Sequence, residues 1–212
     1  IQLTVVNTEY RFLEEVQNGV YQGIFISNGP GDPRSSHLVV TQLQELFSGA
    51  NDNKPLIPVF GICYGHQLIG LAAGSNIGKM KYGNRGHNIP CNLVGTQKCY
   101  ITSQNHGFEV ILDKAQETEW NELFVNSNDG SNEGLIHNSL PYFSVQFHPE
   151  ARAGPKDTVF LFDIFIDRCR ETFNVKERIY SLVNDGLKQS IKYVEEVKDQ
   201  IKKILILGSG GL

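Results

Sequence analysis

The sequence predicts an α/β domain, a largely parallel sheet with helices packed on its faces, and three observations carry that expectation. Short apolar, β-branched runs end in glycine-rich turns. Two of those turns lead directly into segments with helical spacing. The strand–loop–helix order then repeats, which is the pattern of parallel strands joined by crossover helices.

Ile1–Val6 (IQLTVV) is rich in β-branched residues and reads as a strand. Thr8–Gln17 fits a short helix or a loop equally well. Tyr21–Ser27 (YQGIFIS) is a second buried strand running into Asn28-Gly29-Pro30-Gly31-Asp32-Pro33. Two glycines and two prolines in six residues fix a stiff loop at a strand end, which is where an open α/β sheet binds ligands. Such a loop either turns the chain or presents backbone N–H groups to a substrate. Ser35 or Ser36 can cap a helix through Leu38, Val39, Leu43, Leu46 and Phe47, closed by Gly49.

Pro58-Val59-Phe60 is then a strand that meets Gly61-Ile62-Cys63-Tyr64-Gly65, followed by a helix through Leu68, Ile69, Leu71 and Ala72 that Gly74 stops. Strand, tight turn and helix form the setting of a nucleophile elbow, with cysteine in the nucleophile position. Glycines on either side are expected to let the backbone turn sharply, and a thiol at a helix start lies by the positive end of the dipole, which favours thiolate. The alternative is a structural cysteine buried in an α/β core, flanked by Ile62 and Phe60.

Beyond Gly74 the texture changes. Lys79–Pro90 (KMKYGNRGHNIP) is polar, basic and turn-rich, and short runs follow at Cys91–Val94, Cys99–Ser103, Phe108–Leu112, Leu123–Asn126, Gly134–His137 and Phe143–Phe147. These suggest antiparallel hairpins and a sheet edge. Asn128–Gly134 (NDGSNEG) reads as a surface turn. A strand ending in His148-Pro149-Glu150 holds a histidine stiffly, with a carboxylate two residues on to orient it. Asp157–Arg170 is a closing helix with an apolar face. Tyr180–Lys203 reads as a charged linker helix, and Ile204–Leu207 meets Gly208-Ser209-Gly210-Gly211 like the opening of a further nucleotide-binding unit.

A net charge of −4 gives no support for nucleic acid or an anionic membrane as partner, and no apolar run approaches a membrane span. Four scattered cysteines with no CxxC fit a reducing, cytoplasmic compartment. Cys63 and His66 have CxxH spacing without a second pair, so no metal is expected. His66 is expected to be packed or hydrogen-bonded; His87 and His106 are expected to serve the loops or an interface. Asp113, Glu117 and Glu119 read as a solvated charged segment. The basic run Lys79–Arg85 is a candidate contact with a partner domain. The chain begins inside a strand and ends beside a glycine cluster, so it is expected to be a piece of a longer polypeptide.

A thiol nucleophile needs a base, a group to orient that base, and donors for the oxyanion. Cys63, His148 and Glu150 fill the first three roles; the N–H of Tyr64 and one from Asn28–Gly31 fill the last. Here the chain resembles a known family. SNGPGDP (27–33), GICYGHQ (61–67) and VQFHPE (145–150), in this order and spacing, are similar to the class I, triad-type glutamine amidotransferases. The segments at 79–91, 103–108 and 128–134 resemble the glutaminase part of glutamine-dependent carbamoyl-phosphate synthetase more than relatives making GMP or anthranilate. The tail at 204–212 resembles the first strand and loop of the synthetase part, as in the fused pyrimidine-pathway form of eukaryotes.

The resemblance implies a flavodoxin-like, doubly wound mixed sheet whose first strand, with a small N-terminal domain, would lie before Ile1. It implies a glutaminase domain over 1–172, a linker over 173–203 and the synthetase from 204. It implies that Cys63 attacks the amide of L-glutamine, that His148 relays protons and that Glu150 holds it. Gly29 and Tyr64 would supply oxyanion N–H groups, while Gly31, Gln67, Asn105, Gly107 and Phe108 hold the substrate. No cofactor is expected in this domain; ATP and Mg would belong to the synthetase part, its partner in the same polypeptide. The residue after the nucleophile is usually Leu or another apolar residue, and Tyr64 departs from that. The rivals are an amidotransferase serving another synthase, a cysteine hydrolase on a related elbow fold, and a catalytically weak module that supports a synthetase.

Overall fold

The computed structural model describes residues 1–49, 56–112, 119–152, 154–184 and 203–208. Among these residues nine strands form one mixed sheet: β1 (Gln2–Val6), β2 (Ile24–Ile26), β3 (Val59–Ile62), β4 (Asn76–Leu93), β5 (Cys99–Ile111), β6 (Trp120–Asn126), β7 (Asn132–His137), β8 (Tyr142–Val145) and β9 (Lys203–Leu207). Their order is β1-β9-β2-β3-β8-β7-β6-β4-β5. The pairs from β1 to β8 are parallel and those from β8 to β5 antiparallel. Among the described residues five α-helices pack with it: α1 (Leu13–Gln17), α2 (His37–Ser48), α3 (Tyr64–Ala72), α4 (Phe160–Arg170) and α5 (Val175–Asn184).

Period-2 alternation in the central strands divides the core between the two faces. Val59 and Tyr142 pack with residues of α2 and α3, and Phe60 and Phe143 with residues of α4 and α5. The last two rings stack at 4.4 Å between centroids, and Phe25 and Phe165 close around Phe60 at 5.6 and 5.9 Å. Helices on both faces of a mixed sheet are what the sequence leads one to expect of a doubly wound domain. Among the described residues no helix is long and apolar enough to cross a membrane.

Ser36 stands at the start of α2, yet its side chain makes no capping bond. Leaving a helix start without such a bond costs about 1 kcal/mol. The helix does close at Gly49, and Gly74, with φ +82°, ends the elbow segment.

The hairpin wing corrects the expectation for Lys79–Pro90. That stretch is no run of turns: β4 passes through it unbroken, with register shifts between Lys79 and Asn84 and between Gly86 and Ile89. Its glycines mark bulges; a side chain on Gly83, at φ +73°, would lie 2.3 Å from the His106 carbonyl oxygen. Likewise the two short runs around Ser103–Phe108 are one strand, β5. Thr102, Gln104 and His106 point inward and are buried, so the alternation carries polar groups into the core where a sequence rule looks for apolar ones.

Residues 203–207 form β9, which takes a place in this same sheet between β1 and β2, because its apolar alternation buries Ile204, Leu205 and Leu207 there. Most of the charged helix expected over 180–203 lies outside the described residues, as do Asp113, Glu117 and the end of the glycine cluster.

Candidate functional site

The C-terminal ends of β2, β3 and β8 converge, as ligand sites of open α/β sheets do. A cavity of about 1320 Å³ opens there, lined among others by Cys63, His148, Gly29, Gly31, Gln67 and Asn105, with Gly107 and Phe108 on the same wall. Eight of the ten residues expected from sequence therefore share one cavity. Of the other two, Glu150 stands behind His148, and the Tyr64 side chain turns away from the cavity.

The elbow is built differently from the expectation in one respect. The unusual backbone belongs to the cysteine itself, at φ 53° and ψ −101°, whereas Gly61 and Gly65 have no positive φ. The glycines clear space instead. A side chain on Gly61 would come within 2.7 Å of the Gly65 backbone, and one on Gly65 would lie 2.2 Å from the Ile26 carbonyl oxygen. The helix start can press onto β2 and β3 only because Gly65 and Gly61 carry no side chain. Cys63 thereby sits at the mouth of α3, facing the cavity edge, with its thiol 3.8 Å from the Asn105 carbonyl.

His148 Nδ1 lies 2.7 Å from Glu150 Oε1, and its backbone N–H donates to the Ser103 carbonyl at 2.8 Å. That leaves Nε2 toward the cavity with no hydrogen bond. Burial opposes the charged ring, but the neighbouring Cys63 thiol and Glu150 carboxylate outweigh it and raise His148 to about 10. Burial works against the Glu150 carboxylate too, yet the imidazole holds it below the usual carboxylate range. A ring that stays protonated at neutral pH, next to a thiol, is the arrangement that favours a thiolate–imidazolium pair.

The folded value of His148 lies above the unfolded 6.5, so the pair stabilises the fold fully below about 6.5 and loses that contribution as pH rises through about 10. Glu150 acts in the opposite sense: its contribution is present above the unfolded 4.5 and fades as acid protonates it. An NMR titration of the His148 ring is expected to show a midpoint near 10, moving toward the ordinary imidazole value in Cys63→Ala. A midpoint of 6.5 in the unsubstituted protein would remove the ion pair.

The floor of the site is polar and well tied. Gln67 Nε2 donates to the Phe108 carbonyl at 3.2 Å and to Gln146 Oε1 at 3.0 Å, joining α3 to β5 and to the segment before His148. His106 Nδ1 meets the same Phe108 carbonyl at 2.9 Å, and its Nε2 meets Gln104 Oε1 at 3.0 Å. The fully buried Glu133 carboxylate lies 3.7 Å from that nitrogen. His106 is thus a support of the cavity wall. His66 is fully buried against Ser144 Oγ at 2.9 Å, and burial pushes its ring down to about 3. It is the packed histidine the sequence suggests. Gln146 and Glu133 were not singled out from sequence; Gln146 meets Gln67 of α3 and Glu133 acts across strands, where no local spacing marks them.

The glutamine amidotransferase class-I family matches residues 1–168. Over 214 residues the chain is 49% identical to the multifunctional protein URA2 of Saccharomyces cerevisiae, covering 100% of this chain and 9% of that one. It is 48% identical over 220 residues to the multifunctional protein CAD of Squalus acanthias, again 9% of that protein. A carbamoyl phosphate synthase arginine-specific small chain of Aspergillus clavatus is 52% identical over 151 residues, 71% of this chain and 32% of the relative. The chain thus spans only a small part of the curated relatives it matches. Among solved structures, one from Thermoplasma acidophilum assigned to GMP synthase aligns with a TM-score of 0.56 at 20% identity, covering 84% of this chain and 96% of that one, which shows the fold.

Proposed function

The chain belongs to the class-I glutamine amidotransferases, and from that premise we propose that it hydrolyses the side-chain amide of L-glutamine to glutamate and ammonia. The observation that carries the proposal is the meeting of Cys63 and His148 in one cavity with Glu150 bonded to the ring. The Cys63 thiolate attacks the amide carbon, and the N–H groups of Gly29 and Tyr64 receive the oxyanion. His148 gives its proton to the leaving nitrogen as the C–N bond breaks, which frees ammonia and leaves a γ-glutamyl thioester. Water then attacks the thioester carbon, His148 takes its proton, and glutamate departs as the thiolate returns. Gly31, Gln67, Asn105, Gly107 and Phe108 hold the substrate around that centre.

In the parent polypeptide the ammonia feeds carbamoyl phosphate synthesis from bicarbonate and ATP, on the pyrimidine route, in a synthetase part that uses ATP and Mg. The names of the multifunctional relatives and of the synthase small chain support this acceptor over another synthase. Four free cysteines support a cytoplasmic place for it.

The full-length protein is expected to release ammonia from glutamine and to be labelled at Cys63 by a glutamine-analogue diazoketone. Turnover of peptides or esters with none of glutamine would make it a cysteine hydrolase instead.

A further inference from the structure

The phenol of Tyr64 has no part in the chemistry just described, which uses only that residue's N–H. It is nonetheless 4% exposed and bonded. Its hydroxyl lies 2.8 Å from Ser36 Oγ and 3.4 Å from the Asp32 carbonyl oxygen. Only one assignment places both hydroxyl hydrogens: Ser36 donates to the phenol oxygen, and the phenol donates to Asp32. Buried hydroxyls adopt the arrangement that leaves no donor unused. This also explains the missing cap on α2, since the serine standing at that helix start is engaged with Tyr64 instead.

The group it grips is a knot. Asp32 accepts from the Arg34 backbone N–H at 3.0 Å and from its guanidinium at 2.8 and 2.6 Å, while Ser35 Oγ donates to the Asp32 carbonyl at 2.7 Å. Residues 32–36 therefore move as a unit, and they end the Asn28–Asp32 loop whose Gly29 and Gly31 face the cavity. The backbone of Tyr64 follows Cys63 directly.

We infer that the Tyr64 hydroxyl is a positioning group, a strap that fixes the Asn28–Asp32 loop against the nucleophile and so sets where the loop's N–H stands when the oxyanion forms. Because charge develops on that oxygen only in the transition state, loosening the strap acts on turnover more than on substrate binding. This rests on the glutaminase reading above.

The test is Tyr64→Phe in the full-length protein, which keeps the ring, its packing and the backbone N–H. The expected result is a kcat lowered about tenfold with KM for glutamine changed less than about twofold, a split that a merely structural defect does not give. Amide exchange over residues 28–32 is expected to quicken at least about fivefold, since the loop opens locally more often. Ser36→Ala should reproduce both changes, and the double variant should be no worse than either single one. Unchanged kcat and unchanged exchange in Tyr64→Phe would overturn the strap. If the unsubstituted protein does not hydrolyse glutamine, the glutaminase reading falls, while the exchange of residues 28–32 still decides on the strap.

Discussion

Cys63→Ser is expected to lose glutamine hydrolysis by at least about a thousandfold while melting within about 2 °C of the parent. The substitution exchanges sulfur for oxygen at a site where little else changes: the residue is 6% exposed and its thiol's contact with the Asn105 carbonyl is long. A thiol beside a charged imidazole gives up its proton far more readily than an alcohol. A hydroxyl keeps its proton and needs a neutral imidazole to take it during attack. In the serine variant His148 keeps only its Glu150 partner, and a neutral hydroxyl is a far weaker nucleophile than sulfur even with that base beside it. Ammonia release, diazoketone labelling and a thermal melt read the outcome together. Hydrolysis within tenfold of the parent would mean that another residue attacks the amide.

Gly65→Ala is expected to cost about 3 kcal/mol, toward the upper end for an added methyl in a packed interior, and to lower the melting temperature by roughly 9 °C. The new carbon would stand 2.2 Å from the Ile26 carbonyl oxygen and 2.8 Å from its carbonyl carbon. Both are backbone atoms of a central strand and cannot swing aside as a side-chain tip would. Either α3 lifts from β2, taking Cys63 and Gln67 with it, or β2 is pushed from its neighbours. Gly49→Ala is the control, because that glycine has an ordinary φ of −82° and open space around it. It should be neutral within about 0.5 kcal/mol. Equal melting of the two variants would show that α3 does not rest on β2 as described.

The parts of the site that were legible in the sequence are those whose signal is local. Gly-x-Cys-x-Gly, the Gly-Pro-Gly loop and His-Pro-Glu each occupy a few consecutive residues, and each ends a strand, so their convergence followed from the sheet. What escaped was cross-strand or inverted. Lys79–Pro90 looked like turns because bulged strands use the same glycines and polar residues as turns. His106 looked like a loop residue because the buried Glu133 beside it stands on a strand distant in sequence and is brought near only by the fold of the sheet. Ser36 had the right place for a cap, but a hydroxyl 28 residues onward in the chain competed for it and won. The elbow glycines were located correctly and explained wrongly: they serve the closeness of α3 to β2 and β3, not the bend.

That inversion leaves the awkward backbone on the residue proposed as the nucleophile. At φ 53° and ψ −101° the peptide path at position 63 suits a residue without a β-carbon. Conformational ease and reactivity therefore pull in opposite directions at a single atom pair, Cα and Sγ. Selection for stability alone would favour glycine at that position, and glycine carries no sulfur.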